Sequence, residues 1–520
     1  MIESHYDALS LLGDSVPGGA ASTGYKIDAK TSALLYTYTL TATARTTVLP
    51  NILSATTVGG NYTRSMGTFS QENATSLGPG CESTACSSSP LIGFFSTSDN
   101  IVAGSFIEQS FAIADRLFLT GGLRADAGST FGTAYEAALY PKASVSWVVT
   151  QEPFFPKSGI VQTVRLRGAF GESGTQPSPT AKLNVEQATP ALIKDSLALG
   201  TGLPTFGSPN LKPERQQELE GGVDVDLING RIHFEGTVFS KRTTDALVNV
   251  MAPASQGGYA EIINAGSVSD RGLEGLISVR PVDSRLVSWN VSVNASVTHN
   301  RLVSLGPEVV QLNQFQPSLK VGDPLYSWFD FPVKHVSGST SGIILPSQLT
   351  IDTALQYTGP SYPPTQVTGA STLSLFGGQL QLRGQVDYRG GFYELDFERA
   401  IQGSSGVAET NFDSHAPLSD RIRIAASQVG SFYGYIENAS FVRLREVAAT
   451  YNLPSGLLRA TPLRSAAITI SGRNLAVWTR YGGVDPEDAG AQNGQSFGAY
   501  AGGAMIPPSR YWTVRFTANF

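Results

Sequence analysis

The sequence predicts an all-β chain, an antiparallel transmembrane β-barrel of the outer-membrane type. Apolar and polar residues alternate with period two from one end to the other, and the connectors between alternating stretches run short and long in turn. Charge is scarce: 15% of the residues, against about 25% in soluble domains, with 41% hydrophobic residues and 55 glycines. No run of about 20 apolar residues occurs, which excludes a helical span.

The strands are expected in order at 33–46, 50–64, 100–114, 116–127, 140–150, 160–172, 216–228 and 231–248, then at 259–280, 286–303, 366–376, 379–391, 438–452, 465–478 and 509–520. In the first, Tyr36, Tyr38, Leu40, Ala42 and Ala44 alternate with threonines. Around position 290, Val287, Trp289, Val291, Val293, Ala295 and Val297 alternate with serine, asparagine and threonine. Leu380, Leu382, Gly384, Val386 and Tyr388 do so against Gln381, Arg383, Gln385 and Asp387. The last strand sets Trp512, Val514, Phe516, Ala518 and Phe520 on one face and Tyr511, Thr513, Arg515, Thr517 and Asn519 on the other. Such stretches have one apolar and one polar face. Asn229-Gly230 and Gly377-Gly378 read as two-residue hairpin turns, whereas 173–215, 304–365, 392–437 and 479–508 are long. All long loops therefore emerge on one side. A soluble sandwich or propeller has no reason to segregate its loops, and its strands average only about 5 to 6 residues. In lipid every backbone group must be paired, so alternation with closure is the β solution.

A net charge of −6 and a pI near 5.5 argue against nucleic acid as a partner, because no basic stretch is present to release counterions. Cys81 and Cys86 lie in a Gly/Ser/Thr/Pro-rich loop without a nearby histidine, so a small disulfide loop is preferred over free thiols, and no zinc site is expected. His5, His233, His299, His335 and His415 show no metal-ligand spacing. The stretch "GSTSG" at 338–342 has Thr340 at its centre and is no nucleophile elbow. Neither catalysis nor a cofactor is expected, and an acidic pair such as Glu487 and Asp488 reads as a solvated turn before a cation site.

With this architecture in hand, particular stretches resemble a known family. "SPNLKPERQQELEGGVDVDLINGRIHFEGTVFSKRTTDAL" resembles the signature of TonB-dependent outer-membrane receptors, and "NAGSVSDRGLEGLISV" is similar to the segment that follows it there. The matching positions are Asn210, Lys212, Pro213, Glu214, Glu220, Asn264, Gly266, Gly272 and Glu274. "YIENASFVRLREVAATYNLP", "SGRNLAVWTRYGGVDPE", "DRLFLTGGLRADAGSTFG" and "YPKASVSW" resemble the SusC/RagA branch.

The resemblance implies an importer of a nutrient too large for porins: an oligosaccharide, a peptide or a glycan fragment. It implies a barrel of about 22 strands around an N-terminal plug. The implied partners are the TonB complex, a SusD-like surface lipoprotein, the barrel-assembly machinery and outer-membrane lipid, with long loops outside and the C-terminus at the periplasmic side. About 15 to 17 strands are read here over a single domain, 1–520, so the plug, the TonB-contacting segment and about five to seven strands are expected to be missing. A surface binding protein or adhesin anchored by its barrel is the rival reading; an outer-membrane hydrolase is a weaker one.

Several residues are candidates for particular roles. Gly266 and Gly272 suit a bulge or bend, and Pro213 presets the chain before the next strand. Arg443, Arg445, Glu446, Arg473 and Asn474 are expected on the lumen wall, in contact with a plug, since lipid-facing charge costs about 2–4 kcal/mol at mid-membrane. Ligand recognition is assigned to loop aromatics and a carboxylate: Tyr326, Trp328, Phe329, Phe331, Phe392, Tyr393, Tyr481 and Asp485. For 326–331, ligand or lid contact and loop packing are weighed equally. Trp478 and Trp512 fit an interfacial girdle. A terminal aromatic resembles the signal read by the barrel-insertion machinery, a role given to Phe520.

Overall fold

The computed structural model describes residues 2–10, 24–77, 82–86, 92–131, 137–178, 181–193, 196–208, 210–251, 260–306, 317–406, 413–459, 461–487 and 507–520. Its main feature is one 18-stranded sheet. In chain order it begins with β1 (Ile2–Ser10), β2 (Gly24–Leu49), β3 (Ile52–Leu77), β4 (Ile92–Ile113), β5 (Leu117–Gly128), β6 (Ala138–Val148) and β7 (Val161–Thr175). The hairpin β8 (Val185–Ile193) and β9 (Ser196–Phe206) follows, then β10 (Glu214–Leu227), β11 (Ile232–Met251), β12 (Ala260–Asp283) and β13 (Val287–Ser304). Four short strands come next: β14 (Ser327–Asp330), β15 (Val333–Val336), β16 (Leu349–Ile351) and β17 (Gln356–Pro360). The main sheet resumes with β18 (Thr365–Leu375) and β19 (Leu380–Gly390). Outside it lie β20 (Tyr393–Leu395), α1 (Phe397–Ser404), α2 (Leu418–Ser427) and β21 (Ile436–Asn438). The chain closes with β22 (Phe441–Asn452), α3 (Ser455–Leu458), β23 (Ser465–Thr479) and β24 (Tyr511–Asn519).

All fifteen expected strands are present, joined in an antiparallel meander in which β7 pairs β10, β13 pairs β18 and β19 pairs β22. Among the described residues, β1 pairs only β2, and β24 pairs only β23. The alternation did not reveal β1 or the β8–β9 hairpin, which joins the sheet by a short parallel contact of β9 with β12. Nor did it give the full 26 residues of β2 and β3. At about 3.3 Å per residue each spans roughly 86 Å, against an apolar band about 25 Å tall. Beyond that band a strand keeps its backbone ladder with polar residues on both faces, as Lys26, Thr31 and Ser32 show, so the period-two signal fades while the strand continues.

Directly opposed residues of an antiparallel pair share a face, so the register can be followed across the wall. Val225, Phe234, Ile277, Val293, Gly369, Val386, Leu444 and Ala476 form one continuous row. The neighbouring row on the other face is Asp224, Glu235, Leu276, Asn294, Thr368, Asp387 and Arg443. Apolar side chains on the first face stand bare, with Leu40 80% and Val514 75% exposed, which only an apolar surrounding medium rewards. Among the described residues no helix is long and apolar enough to cross a membrane.

The short connectors between β2 and β3, β4 and β5, β6 and β7, β10 and β11, β12 and β13, β18 and β19, and β22 and β23 all lie at one end of the meander. In the β10–β11 turn, Asn229 at φ 54° and Gly230 at φ 72° take the left-handed conformation such a hairpin requires. At the opposite end, described parts of two long connectors fold together. Residues 317–364, 391–406 and 413–440 form a cap built from β14 paired with β17, β15 with β16, β20 with β21, and α1 packed on α2. Its core is Trp328, Leu395, Ala400, Phe432, Tyr435 and Ile436, with Tyr393 and Phe397 against it. The start of α1 is fixed by Asp396, whose carboxylate accepts from the Arg399 N–H at 3.1 Å, with Glu398 in the first turn.

Candidate functional site

The site begins with an irregularity in β22. Strict alternation would place Arg445 and Glu446 on opposite faces. The ladder instead passes from Leu444 to Glu446 on both sides of the strand, leaving Arg445 in a bulge. The register puts Arg443 and Glu446 on the polar face, and the hydrogen bond of Arg445 to Asp387 brings its guanidinium to that face as well. Asn474 on β23, at φ 53°, sits in the matching irregularity, and its side-chain amide donates to the Ser509 carbonyl at 3.2 Å.

The guanidinium groups find their counter-charges within the chain. Arg443, 3% exposed, pairs with Asp485 and lies 3.1 Å from Glu487. Arg445 donates to Asp387 at 2.5 Å and to Glu487 at 2.6 Å. Arg473 pairs with Glu446 at 2.9 Å. The segment Asp485-Pro486-Glu487 is therefore a latch that folds back on β22, whose Arg445 also reaches Asp387 of β19. Pro486 is fully buried, and the Asp485 carboxylate accepts from the Glu487 N–H at 2.9 Å. Arg443, Arg445 and Asp485, expected to meet a plug or a ligand, are occupied by one another and by Asp387 and Glu487.

The latch continues into the cap. Tyr481 packs with Phe392, Ala439 and Phe441, and Glu437 accepts from the Gly482 N–H at 2.8 Å while lying near Arg399 and Arg423. Burial and the carboxylates around it raise the Tyr481 hydroxyl pKa strongly. Trp328 and Phe329 are fully buried, and the Trp328 indole N–H donates to the Tyr393 carbonyl at 2.8 Å. Phe392 is buried too, whereas Tyr326, Phe331 and Tyr393 are half-buried. Packing therefore claims Trp328, Phe329, Phe392 and Tyr481, because a ring enclosed on both sides has no face left for a sugar. Tyr326 at φ 53° keeps an edge contact with Tyr362, at 6.1 Å between centroids.

Two buried acids were not visible in the sequence. Asp330 accepts from the Phe432 N–H at 3.0 Å and ties β14 to the chain after α2; burial pushes its pKa up to about 6. Glu394 is 2% exposed, neither of its carboxylate oxygens has a hydrogen-bond partner among the described residues, and burial raises its pKa well above the usual range. The pairings that place them, such as Asp330 with Phe432, join residues about a hundred positions apart, and no local pattern signals them.

The motif residues have structural positions. Asn264 accepts from the Lys212 N–H at 2.9 Å and donates to the carbonyls of Lys212 and Asp245 at 2.9 and 2.8 Å. It thereby staples the loop of Asn210, Lys212 and the buried Pro213 to a bulge in β11, where Asp245 has φ 54°. Gly266 lies opposite Ala246 in that bulge, and Glu214 accepts from the Leu247 N–H at 3.4 Å. Gly272 occupies regular ladder instead. A Cβ there would sit 2.5 Å from the Phe239 ring, which lies over the glycine. Glu220 and Glu274 face the same side as Phe239. Glu274 lines a groove of about 360 Å³ with Glu235, Thr237, Asn294, Ser296 and Gln366. A second groove, about 330 Å³, is lined by Phe106, Arg124, Asp126, Tyr140 and Lys142.

Cys81 and the Cys86 side chain lie outside the described residues, so the expected disulfide does too. Phe520 is 76% exposed, and Trp478 and Trp512 are exposed on the apolar face at 57% and 65%. No group of three or more His, Cys, Asp and Glu side chains converges on a metal position among the described residues.

A one-sided set of long loops, a two-faced antiparallel wall and the NLKPE loop together meet a family model described as "TonB dependent receptor-like, beta-barrel", which matches residues 4–475. The chain belongs to this family. Its members are outer-membrane β-barrel receptors and transporters, not enzymes. TonB-dependent receptor P3 of Formosa agariphila is 25% identical over 419 residues, which cover 74% of this chain and 41% of that receptor. TonB-dependent receptor SusC of Bacteroides thetaiotaomicron is 22% identical over 426 residues, covering 75% and 41%. The chain thus spans about two fifths of the length of these relatives. The RagAB peptide importer in its open-open state superposes with a TM-score of 0.80 over 100% of this chain and 58% of that one, at 17% identity. At that identity the match speaks for the fold.

Proposed function

We propose that this TonB-dependent receptor takes up a nutrient too large for porins, an oligosaccharide, peptide or glycan fragment, using TonB energy. A SusD-like lipoprotein would work with it at the capped mouth. The cap carries the reading. An anchor needs only a wall, whereas here two long loops fold into one cored unit at the long-loop end of the wall and are tied to β22 through Glu437 and the 485–487 latch. The polar face, with grooves lined by carboxylates, amides and hydroxyls, offers hydrogen bonds to a hydrated cargo. The long loops and cap would face outward and the short turns the periplasm, with Phe520 read by the insertion machinery.

Uptake of labelled oligosaccharides and peptides by the native host tests this. Loss of uptake of one class on deleting the receptor gene, and an equal loss on removing TonB, is the expected result. Cargo binding at the surface that persists without TonB, with no internalisation in either strain, would favour the anchored adhesin.

A further inference from the structure

The short-turn end of the wall has a composition of its own. Its seven connectors carry Arg116, Lys157, Arg231, Arg285, Arg459 and Arg464 against only Asp115 and Glu152, in a chain whose net charge is −6. Arg116 is engaged with Glu152 at 3.2 Å. The other five cations are exposed, and none has an ion-pair partner among the described residues. Beside them the same connectors project bare apolar side chains: Phe154, Ile160, Ile228, Leu286, Phe376 and Leu457, from 45% to 68% exposed. Cation and apolar residue come together in one turn after another, as Ile228 with Arg231, Leu286 with Arg285, and Leu457 with Arg459. Ile228 and Phe376 sit at φ 55°, a conformation that branched and bulky residues rarely adopt. An ordinary turn would place asparagine or glycine there.

A surface that joins unpaired cations to apolar side chains, at the edge of a lipid-facing wall, matches a headgroup zone in which acyl chain and phosphate adjoin. We propose that the short-turn rim binds the phosphate headgroups of anionic phospholipid in the leaflet it enters. Arginine and lysine pair with phosphate, and the apolar residues sink to the acyl boundary beside them. The arrangement fixes the vertical position of the barrel by charge as well as by apolar width. An acidic protein would meet the same cations, but it would leave Phe154, Leu286, Phe376 and Leu457 without a counterpart. The inference rests on the chain being a membrane-spanning barrel and stands or falls apart from the transport reading.

The test is lipid retention by the full-length receptor, titrated in detergent with short-chain phosphatidylglycerol or phosphatidylcholine and read by native mass spectrometry. Phosphatidylglycerol should be retained in preference, and the preference should fall about fivefold at low salt for each step through Arg285→Gln, Arg231→Gln, Arg459→Gln and Arg464→Gln. Salt near 1 M should screen it away. Should the combined variant fail to fold, the unaltered receptor is photo-crosslinked with a phosphatidylglycerol probe, and adducts are expected in 149–160, 228–231, 284–286 and 453–464. Equal retention of the two lipids, a preference that the substitutions leave in place, or adducts confined to the long-loop end would overturn the proposal. Displacement of the lipid by polyglutamate of equal charge would overturn it in favour of an acidic protein.

Discussion

Arg443 has two carboxylates for company and almost no water, and that combination sets what its loss would do. Arg443→Ala leaves the buried Asp485 carboxylate facing a cavity, while Glu487 keeps Arg445, and is expected to cost about 3–5 kcal/mol in denaturant unfolding, since removing one partner strands the other charge. Arg443→Met combined with Asp485→Leu should recover much of it, because burying neither charge can match burying both. Asn264 supports three hydrogen bonds between two segments, and Asn264→Ala should cost about 1–3 kcal/mol by orphaning backbone groups. The sequence identified Arg443 and Arg445 as wall charges. It did not identify their partners, because Asp485 and Glu487 lie 42 residues further on and reach them only when the loop after β23 folds back.

At the scale of elements, fifteen wall strands were legible, whereas β1, the β8–β9 hairpin and the cap were not. Period two survives in β13 or β24 because one face meets an apolar medium along its whole length. The cap elements, three to ten residues long, owe their form to contacts across some hundred positions, as when Asp330 meets Phe432. The burial of Asp330 that comes with this packing makes cap stability depend on pH. The Asp330 carboxyl titrates near 6 in the fold against 3.8 when free, so between those values the folded state holds the extra proton. Stability therefore falls as pH rises through this window and levels off above it, by roughly 2–3 kcal/mol in all. Proteolysis of the cap should be slower at pH 5 than at pH 7. Asp330→Asn, which keeps the acceptor for Phe432, should flatten that slope. Glu394→Gln should stabilise the cap at neutral pH, since burial disfavours its charged form. Within the wall, Gly272→Ala brings a methyl to within 2.5 Å of the Phe239 ring and the Val297 carbonyl; the ring can turn aside and the carbonyl cannot. A loss of about 1–3 kcal/mol is expected.

For the whole molecule, the β19–β22 ladder is complete without the cap. β19 pairs β22 over Leu380–Arg389 with no cap residue in the ladder. Replacing 391–440 by a short Gly-rich turn should therefore leave heat-modifiable barrel migration on gels in place while cargo retention is lost; disappearance of the folded band would show that the cap is needed to build the wall. The sequence by itself determined fifteen strands, the two faces and the side on which the long loops gather, because lipid on one face and polar surroundings on the other impose a pattern that a spanning strand must repeat. Tertiary structure alone decided that the loop aromatics become a core, that the expected plug-facing arginines are latched by their own chain, and that scattered turn cations gather on one rim. Each of these outcomes depends on residues far apart in sequence meeting in space, and a period of two carries no information about such meetings.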